Sequence, residues 1–378
     1  MIAVAALAMA ACTENEMQKE IQNDQAIDFG TFVQKATRAE NSGENYTWKL
    51  EDHHKKFNVY GYKNTSATAV FNNETVTNNG TAWAYEGKRY WDKAASLYCF
   101  YAYAPANASL FTFNGVSGIS MQKDGYFTIG SHTVSGANIA SASGDERIAE
   151  SFASGDPDMD LMIAEKCERT IEGKSTDFET VNLNFIHILS RLNIAVQADK
   201  DKFEFDASGE ASGDYVTLKE ISFGHMAESG AFDESSASGD ALASGSAIRW
   251  TKTAQDKDFN YEFDRKLKNN YLYFVETLVM PQEARKESIK LDGTEVTANT
   301  ESYPWIKIRY TITNSKNTEE FVAYYNLATV FNIADGKTLA FNEGWQNTLK
   351  ITISPAVIEF DGSVAPWDDN LTEELTVE

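Results

Sequence analysis

The chain has 378 residues and a formal net charge of −23, from 33 Lys and Arg against 56 Asp and Glu. That balance excludes nucleic-acid binding, which needs a basic face, and disfavours docking on anionic lipid; any assembly has to rest on specific burial. Aromatic residues make up 12% of the chain and proline occupies only six positions. Runs rich in Tyr, Phe, Thr and Val, broken by short polar stretches, point to β-structure.

The first eleven residues (MIAVAALAMAA) are apolar and end in small side chains just before Cys12. This reads as the end of a secretory leader with a lipobox-like finish, although the usual positive start is missing. An ordinary leader with a chance cysteine is the plainer alternative. The run is too short to cross a bilayer as a helix. Beyond it, residues 26–35 (AIDFGTFVQK) place Ile27, Phe29, Thr31 and Val33 on one face of a strand. Arg38 and Ala39 follow, ahead of a loose polar stretch (ENSGEN). A strand that packs just before a cleavable basic residue is a strand that can be removed, although any exposed loop can carry an arginine.

The next strand is expected at residues 57–62 (FNVYGY). Residues 81–91 (TAWAYEGKRYW) read as a hairpin turning at Glu86 and Gly87. Leu97–Ala104 (LYCFYAYA) is a buried strand stopped by Pro105. Short strands follow at 126–129 and 160–165. Residues 167–180 are polar and turn-like, and read as a linker. Beyond it, strands are expected at 181–185, 192–196, 215–223, 259–263, 271–280, Trp305–Thr313, 321–325 and 348–354. In Trp305–Thr313, residues Ile306, Ile308, Tyr310 and Ile312 face inward while Lys307 and Arg309 face out, the pattern of an antiparallel sheet with one wet face. With no convincing long helix, the fold class is all-β, as two β-sandwiches in tandem. The division expected is a leader, lipobox and removable strand over 1–38, a first sandwich over 39–170 and a second over 176–378. The tetrapeptide Ala-Ser-Gly-Asp recurs from residues 142, 153, 211 and 237 without a fixed period, which is loop filler by composition.

The residues offer no catalytic constellation. His53, His54, His132, His187 and His225 lack metal-ligand spacing; His53 and His54 read as a solvated approach to a strand, and His187 as a core residue. Residues 156–160 (DPDMD) fail the calcium-loop pattern, and 115–120 (GVSGIS) fail the nucleophile-elbow spacing. No enzyme, cofactor or metal site is therefore expected. Cys99 and Cys167 could pair in an oxidising compartment, but no spacing motif supports it, and two buried free thiols fit better. At the far end, residues 371–378 (LTEELTVE) put Leu371, Leu375 and Val377 on one face. Such a strand can fill a groove in another sheet, pair within its own domain, or fray.

Several stretches together resemble the fimbrillins of Gram-negative anaerobes, subunits of type V pili. They are the lipobox at Cys12, FNVYGY from Phe57, the run from Tyr90 to Pro105, DLMIAE from Asp160, VNLNFIHILSRLNIAV from Val181, and GWQNTLKITISPAVIEF followed by APWDD up to Asp369. The resemblance implies two transthyretin-like β-sandwich domains. It implies acylation at Cys12, removal of the leading strand by an arginine-specific protease between Arg38 and Ala39, and refilling of the groove by the C-terminal strand of a neighbour, here Leu371, Leu375 and Val377. It further implies an outer-membrane or cell-surface pilus that supports adhesion. The partners would be other pilin subunits and host or bacterial surface glycans or proteins, with membrane contact only through the lipid. A tip or base subunit, or a lipid-anchored glycan-binding module using aromatics such as Trp83, Trp91 or Trp250, are the alternatives.

Overall fold

The computed structural model describes residues 25–33, 50, 54–64, 69–106, 112–117, 120–124, 126–128, 161–171, 178–232, 250–285, 304–333 and 338–366. Its strands are, in chain order, β1 (Phe29–Val33), β2 (Lys56–Lys63), β3 (Ala69–Asn78), β4 (Trp83–Tyr85), β5 (Leu97–Ala104), β6 (Thr112–Ser117), β7 (Ser120–Asp124), β8 (Tyr126–Thr128), β9 (Met162–Thr170) and β10 (Val181–His187). They continue with β11 (Ser190–Ala198), β12 (Tyr215–Phe232), β13 (Trp250–Lys266), β14 (Leu272–Val279), β15 (Gln282–Arg285), β16 (Trp305–Thr313), β17 (Thr318–Asn326), β18 (Thr338–Phe341), β19 (Trp345–Ile353) and β20 (Ile358–Pro366). A short helix, α1 (Leu327–Val330), is capped by the Asn326 side chain, which accepts from the Thr329 amide. The all-β expectation holds.

A seven-stranded sheet runs in the order β1-β10-β9-β5-β2-β3-β4. The later strands build a four-stranded sheet, β14-β11-β19-β20, and a five-stranded one, β13-β12-β16-β17, which β8 joins by pairing with β12. Val181–His187, expected at the head of a second domain, is hydrogen-bonded into the first sheet between β1 and β9. The crossing to the later sheets lies at Ile188 and Leu189. An alternating strand pattern shows which face is apolar, but not which sheet receives it.

The apolar run of β5 is explained by burial on both faces. Tyr98, Phe100, Ala102 and Ala104 enter one core cluster together with Phe57, Val59, Phe71, Val181, Leu183 and Phe185. Cys99, Tyr101 and Tyr103 enter a larger cluster that includes Ile163, Ile186 and the apolar faces of β11, β12, β16 and β19. The same pleat separates the thiols. Cys99 stands opposite Glu168 and Cys167 opposite Phe100, so the two point to opposite faces. Both are free; Cys99 is buried, while Cys167 is only half-buried, short of the burial expected for it. His54 is buried as well, against the solvated position expected for it.

On the outer face of the five-stranded sheet, the Glu220 carboxylate accepts from Lys307 Nζ at 2.7 Å, Arg309 Nε at 2.9 Å and Ser222 Oγ at 2.5 Å. Burial alone would raise its pKa, but these donors outweigh that and hold it below the usual glutamate range. A carboxylate depressed in the folded state contributes stability above the unfolded-state pKa and loses it as pH falls through the folded value. Glu220→Gln is expected to cost about 1–3 kcal/mol at neutral pH and to flatten the loss of stability between neutral pH and about pH 3. Urea unfolding at both pH values measures this.

Candidate functional site

The site of interest is the seat of the leading segment, residues 25–33. Its sequence alternates, and burial follows: Ile27, Phe29 and Thr31 are buried, whereas Asp28 and Phe32 are exposed. β1 lies parallel to β10, with Phe29 opposite Val181, Thr31 opposite Leu183 and Val33 opposite Phe185. The Val181 amide donates to the Asp28 carbonyl at 2.8 Å.

The same segment is held on a second side. Ala26 bridges antiparallel to Tyr90, the Ile27 amide donates to the Arg89 carbonyl at 2.9 Å, and the Trp91 amide donates to the Gln25 carbonyl at 3.2 Å. Residues 89–91 follow β4, which forms the far edge of the sheet from β1. The leading segment thus joins the two edges of one sheet. This corrects the hairpin expected over residues 81–91. The turn at Glu86 and Gly87 is present, with both carbonyls accepting from Arg89 at 3.0 Å. β4 pairs with β3, however, while the limb at 89–91 takes its ladder partner from residues 25–27.

Side chains fasten the segment further. The Gln25 amide donates to the Phe178 carbonyl at 2.5 Å and accepts from the Phe178 amide at 2.7 Å. The Tyr85 hydroxyl donates to the Ile27 carbonyl at 2.8 Å. Burial holds the Tyr85 phenol above its ordinary pKa range, so it stays protonated and able to donate. Arg89, paired with Glu74 at 2.6 Å, stacks over the rings of Phe71 and Tyr85 at 4.8 and 5.6 Å.

Phe29 is the centre of the arrangement. Its ring meets Phe57, Phe71, Tyr85 and Phe100 edge-on, with centroids 6.1, 5.2, 5.8 and 5.8 Å away. Edge-to-face contact suits the ring quadrupoles. The box closes this tightly because Gly61 leaves room for it: a β-carbon there would sit 2.8 Å from the Phe71 ring and 3.0 Å from that of Phe100. Without residues 25–33 the seat would be a groove with unpaired backbone on two sides and an aromatic floor.

The other residues singled out in the sequence divide. Cys12, Arg38, Ala39, Leu371, Leu375 and Val377 lie outside the described residues, as do His53, His132, the acidic stretch 156–160 and the linker residues 172–177. Among the aromatics weighed as a sugar platform, Trp91 is in the core, stacked on Phe178, and Trp250 is buried with its indole N–H donating to the Ile188 carbonyl at 2.7 Å. Trp83 packs against Phe57. Among the described residues no group of His, Cys, Asp or Glu is placed to hold a metal ion, and no helix is long and apolar enough to cross a membrane. The roles of Gln25, Tyr85 and Arg89 are not legible locally, because the groups they hold lie far along the chain.

A family profile described as fimbrillin-like matches residues 37–367. The chain belongs to that family. It is a structural protein of the fimbrial kind and not an enzyme. The matched region starts after β1 and ends before residue 371, so both the leading strand and the C-terminal segment fall outside it. None of the curated proteins compared matches the sequence. Among solved structures, a fimbrial protein from Bacteroides vulgatus aligns over 91% of this chain and 100% of its own, with 14% identity and a TM-score of 0.51, which speaks for a shared fold. A proposed cell adhesion protein from Bacteroides uniformis aligns over 91% and 99%, with 18% identity and a TM-score of 0.45. A fimbrial assembly protein from Parabacteroides distasonis aligns over 91% and 100%, with 11% identity and a TM-score of 0.37.

The two phenylalanines of β1 offer an internal control. Phe29→Ala is expected to destabilise this fimbrillin-like chain by about 3–5 kcal/mol through the cavity left in the aromatic box. Phe32, 40% exposed on the other face of the same strand, should cost no more than about 0.5–1 kcal/mol as alanine. Denaturant midpoints of the two variants make the comparison.

Proposed function

We propose that the chain is a structural subunit of a cell-surface pilus that polymerises by exchanging its leading strand for the tail of a neighbour. It is exported as a lipoprotein acylated at Cys12 and anchored in the outer membrane through that lipid. It is cut between Arg38 and Ala39, and it accepts residues 371–378 of another copy, led by Leu371, Leu375 and Val377. In this reading it has two transthyretin-like sandwich domains, and the assembled fibre supports adhesion to host or bacterial surfaces.

The observation that carries the proposal is the seating of residues 25–33. They pair through residues 29–33 with β10 and through residues 25–27 with residues 89–91, and Arg38 follows Val33, the end of β1, by five positions. A cut there separates the segment from everything after it while leaving the rest of the sheet continuous. The vacated groove would expose the rings around Phe29 and the unpaired edge of β10, a template for an incoming strand. Each large apolar side chain reburied there contributes about 1.5–3 kcal/mol, in addition to the backbone ladder.

Cutting the purified precursor with a low dose of an arginine-specific protease tests the proposal, since trypsin would also cut at Lys35. Truncation at Arg38 should yield oligomers that withstand mild detergent. Arg38→Ala should block their formation, and deletion of residues 371–378 should leave cut monomers. Oligomers that fail to form after cleavage, or that form equally well without the tail, would overturn the exchange reading.

A further inference from the structure

Cutting the chain after Arg38 does not by itself empty the groove, because the leading segment stays bound by its ladder and side chains. For exchange to proceed, the segment has to leave. Two features of the seated strand bear on this. Thr31 is buried opposite Leu183, and its hydroxyl has no hydrogen-bond partner. A buried hydroxyl that gives up its water without replacement weakens the strand that carries it. Gly30, in the middle of the same strand and opposite Asn182, adds no side-chain packing. Ile27 and Phe29 fill their places fully, so the weakness is confined to the last turn of the pleat before the cut.

We infer that Thr31 is a built-in weak point that makes the leading strand a displaceable occupant, and that the groove selects a replacement with a branched aliphatic residue at the Thr31 position. This rests on the exchange reading above and names its selectivity. Valine has nearly the shape of threonine and lacks the hydroxyl. In residues 371–378 of a second copy, Leu375 and Val377 have the two-residue spacing of Phe29 and Thr31. With the same polarity as β1, Leu375 enters the aromatic box and Val377 takes the Thr31 place. The same register brings Glu373 to the Ile27 place, so the neighbour's gain is confined to the Thr31 position, where the resident strand is poorest.

The test measures how long the fragment ending at Arg38 stays bound after cleavage of the full chain by an arginine-specific protease, followed by size exclusion and mass spectrometry. Thr31→Val should hold the fragment at least about fivefold longer than the unmodified chain. It should also raise the Tm of the uncut protein, and Thr31→Ser should do neither. A second arm uses synthetic peptides of residues 371–378 to displace the fragment. Replacing Val377 by threonine in the peptide should weaken displacement by at least about fivefold. An unchanged or shorter fragment lifetime in Thr31→Val, or a threonine peptide that displaces as well as the valine one, would overturn the inference. If both arms behave as expected and the emptied subunits still do not polymerise, the selectivity stands and strand exchange as the route of assembly falls.

Discussion

The contact on which the first sheet depends is the ring of Phe29 set among Phe57, Phe71, Tyr85 and Phe100. Four rings from four strands of the sheet, β2, β3, β4 and β5, meet a fifth from β1 at its edge. Around that contact the backbone is satisfied from two directions, by β10 on one side and by residues 89–91 on the other. A segment paired through residues 29–33 with β10 and through residues 25–27 with residues 89–91, and packed at Phe29 between them, is held cooperatively, since loss of the ring contact also exposes polar backbone groups that then need water. Such a segment either stays or goes as a whole, and that is the behaviour a switch between monomer and polymer requires.

Covalent linkage sets the balance. While the leading segment is part of the chain, its effective concentration at the groove is far above that of any free strand. In the proposed route, cleavage at Arg38 would remove that advantage and leave the outcome to side-chain fit. The acidic charge of the subunit acts in the same direction, because copies that repel one another associate through a specific strand and groove rather than through general contact. The larger core, with the apolar faces of β11, β12, β16 and β19 packed against Tyr101, Tyr103 and Ile163, does not involve the leading segment. It would support the rest of the molecule if the leading segment were exchanged as proposed.

How much of this is legible in the sequence depends on the range of the interaction. The alternation of Ile27, Phe29 and Thr31 is local, and it predicts the buried face of β1 correctly. The inward set Ile306, Ile308 and Tyr310 is legible for the same reason. The run LYCFYAYA reads as buried, and burial on two faces is the physical cause. The hairpin over 81–91 fails because its second limb pairs with residues 25–27, and no short-range pattern encodes a partner some sixty positions upstream. The membership of Val181–His187 in the first sheet is hidden likewise, since its period of two is compatible with either sheet. The seat of the leading strand could not be read either, because Gln25, the pair Tyr85 and Arg89, and Phe178 converge from three separate stretches and none of them has a distinctive motif.

Assembly by strand exchange requires residues 25–33 to leave the subunit that enters the fibre. The most direct measurement is mass spectrometry of the N-terminus in assembled material taken from the cell surface. Subunits within the polymer should begin at Ala39 and lack the peptide spanning residues 25–33. Polymer whose subunits begin at an acylated Cys12, with that peptide still attached and seated against β10, would contradict it.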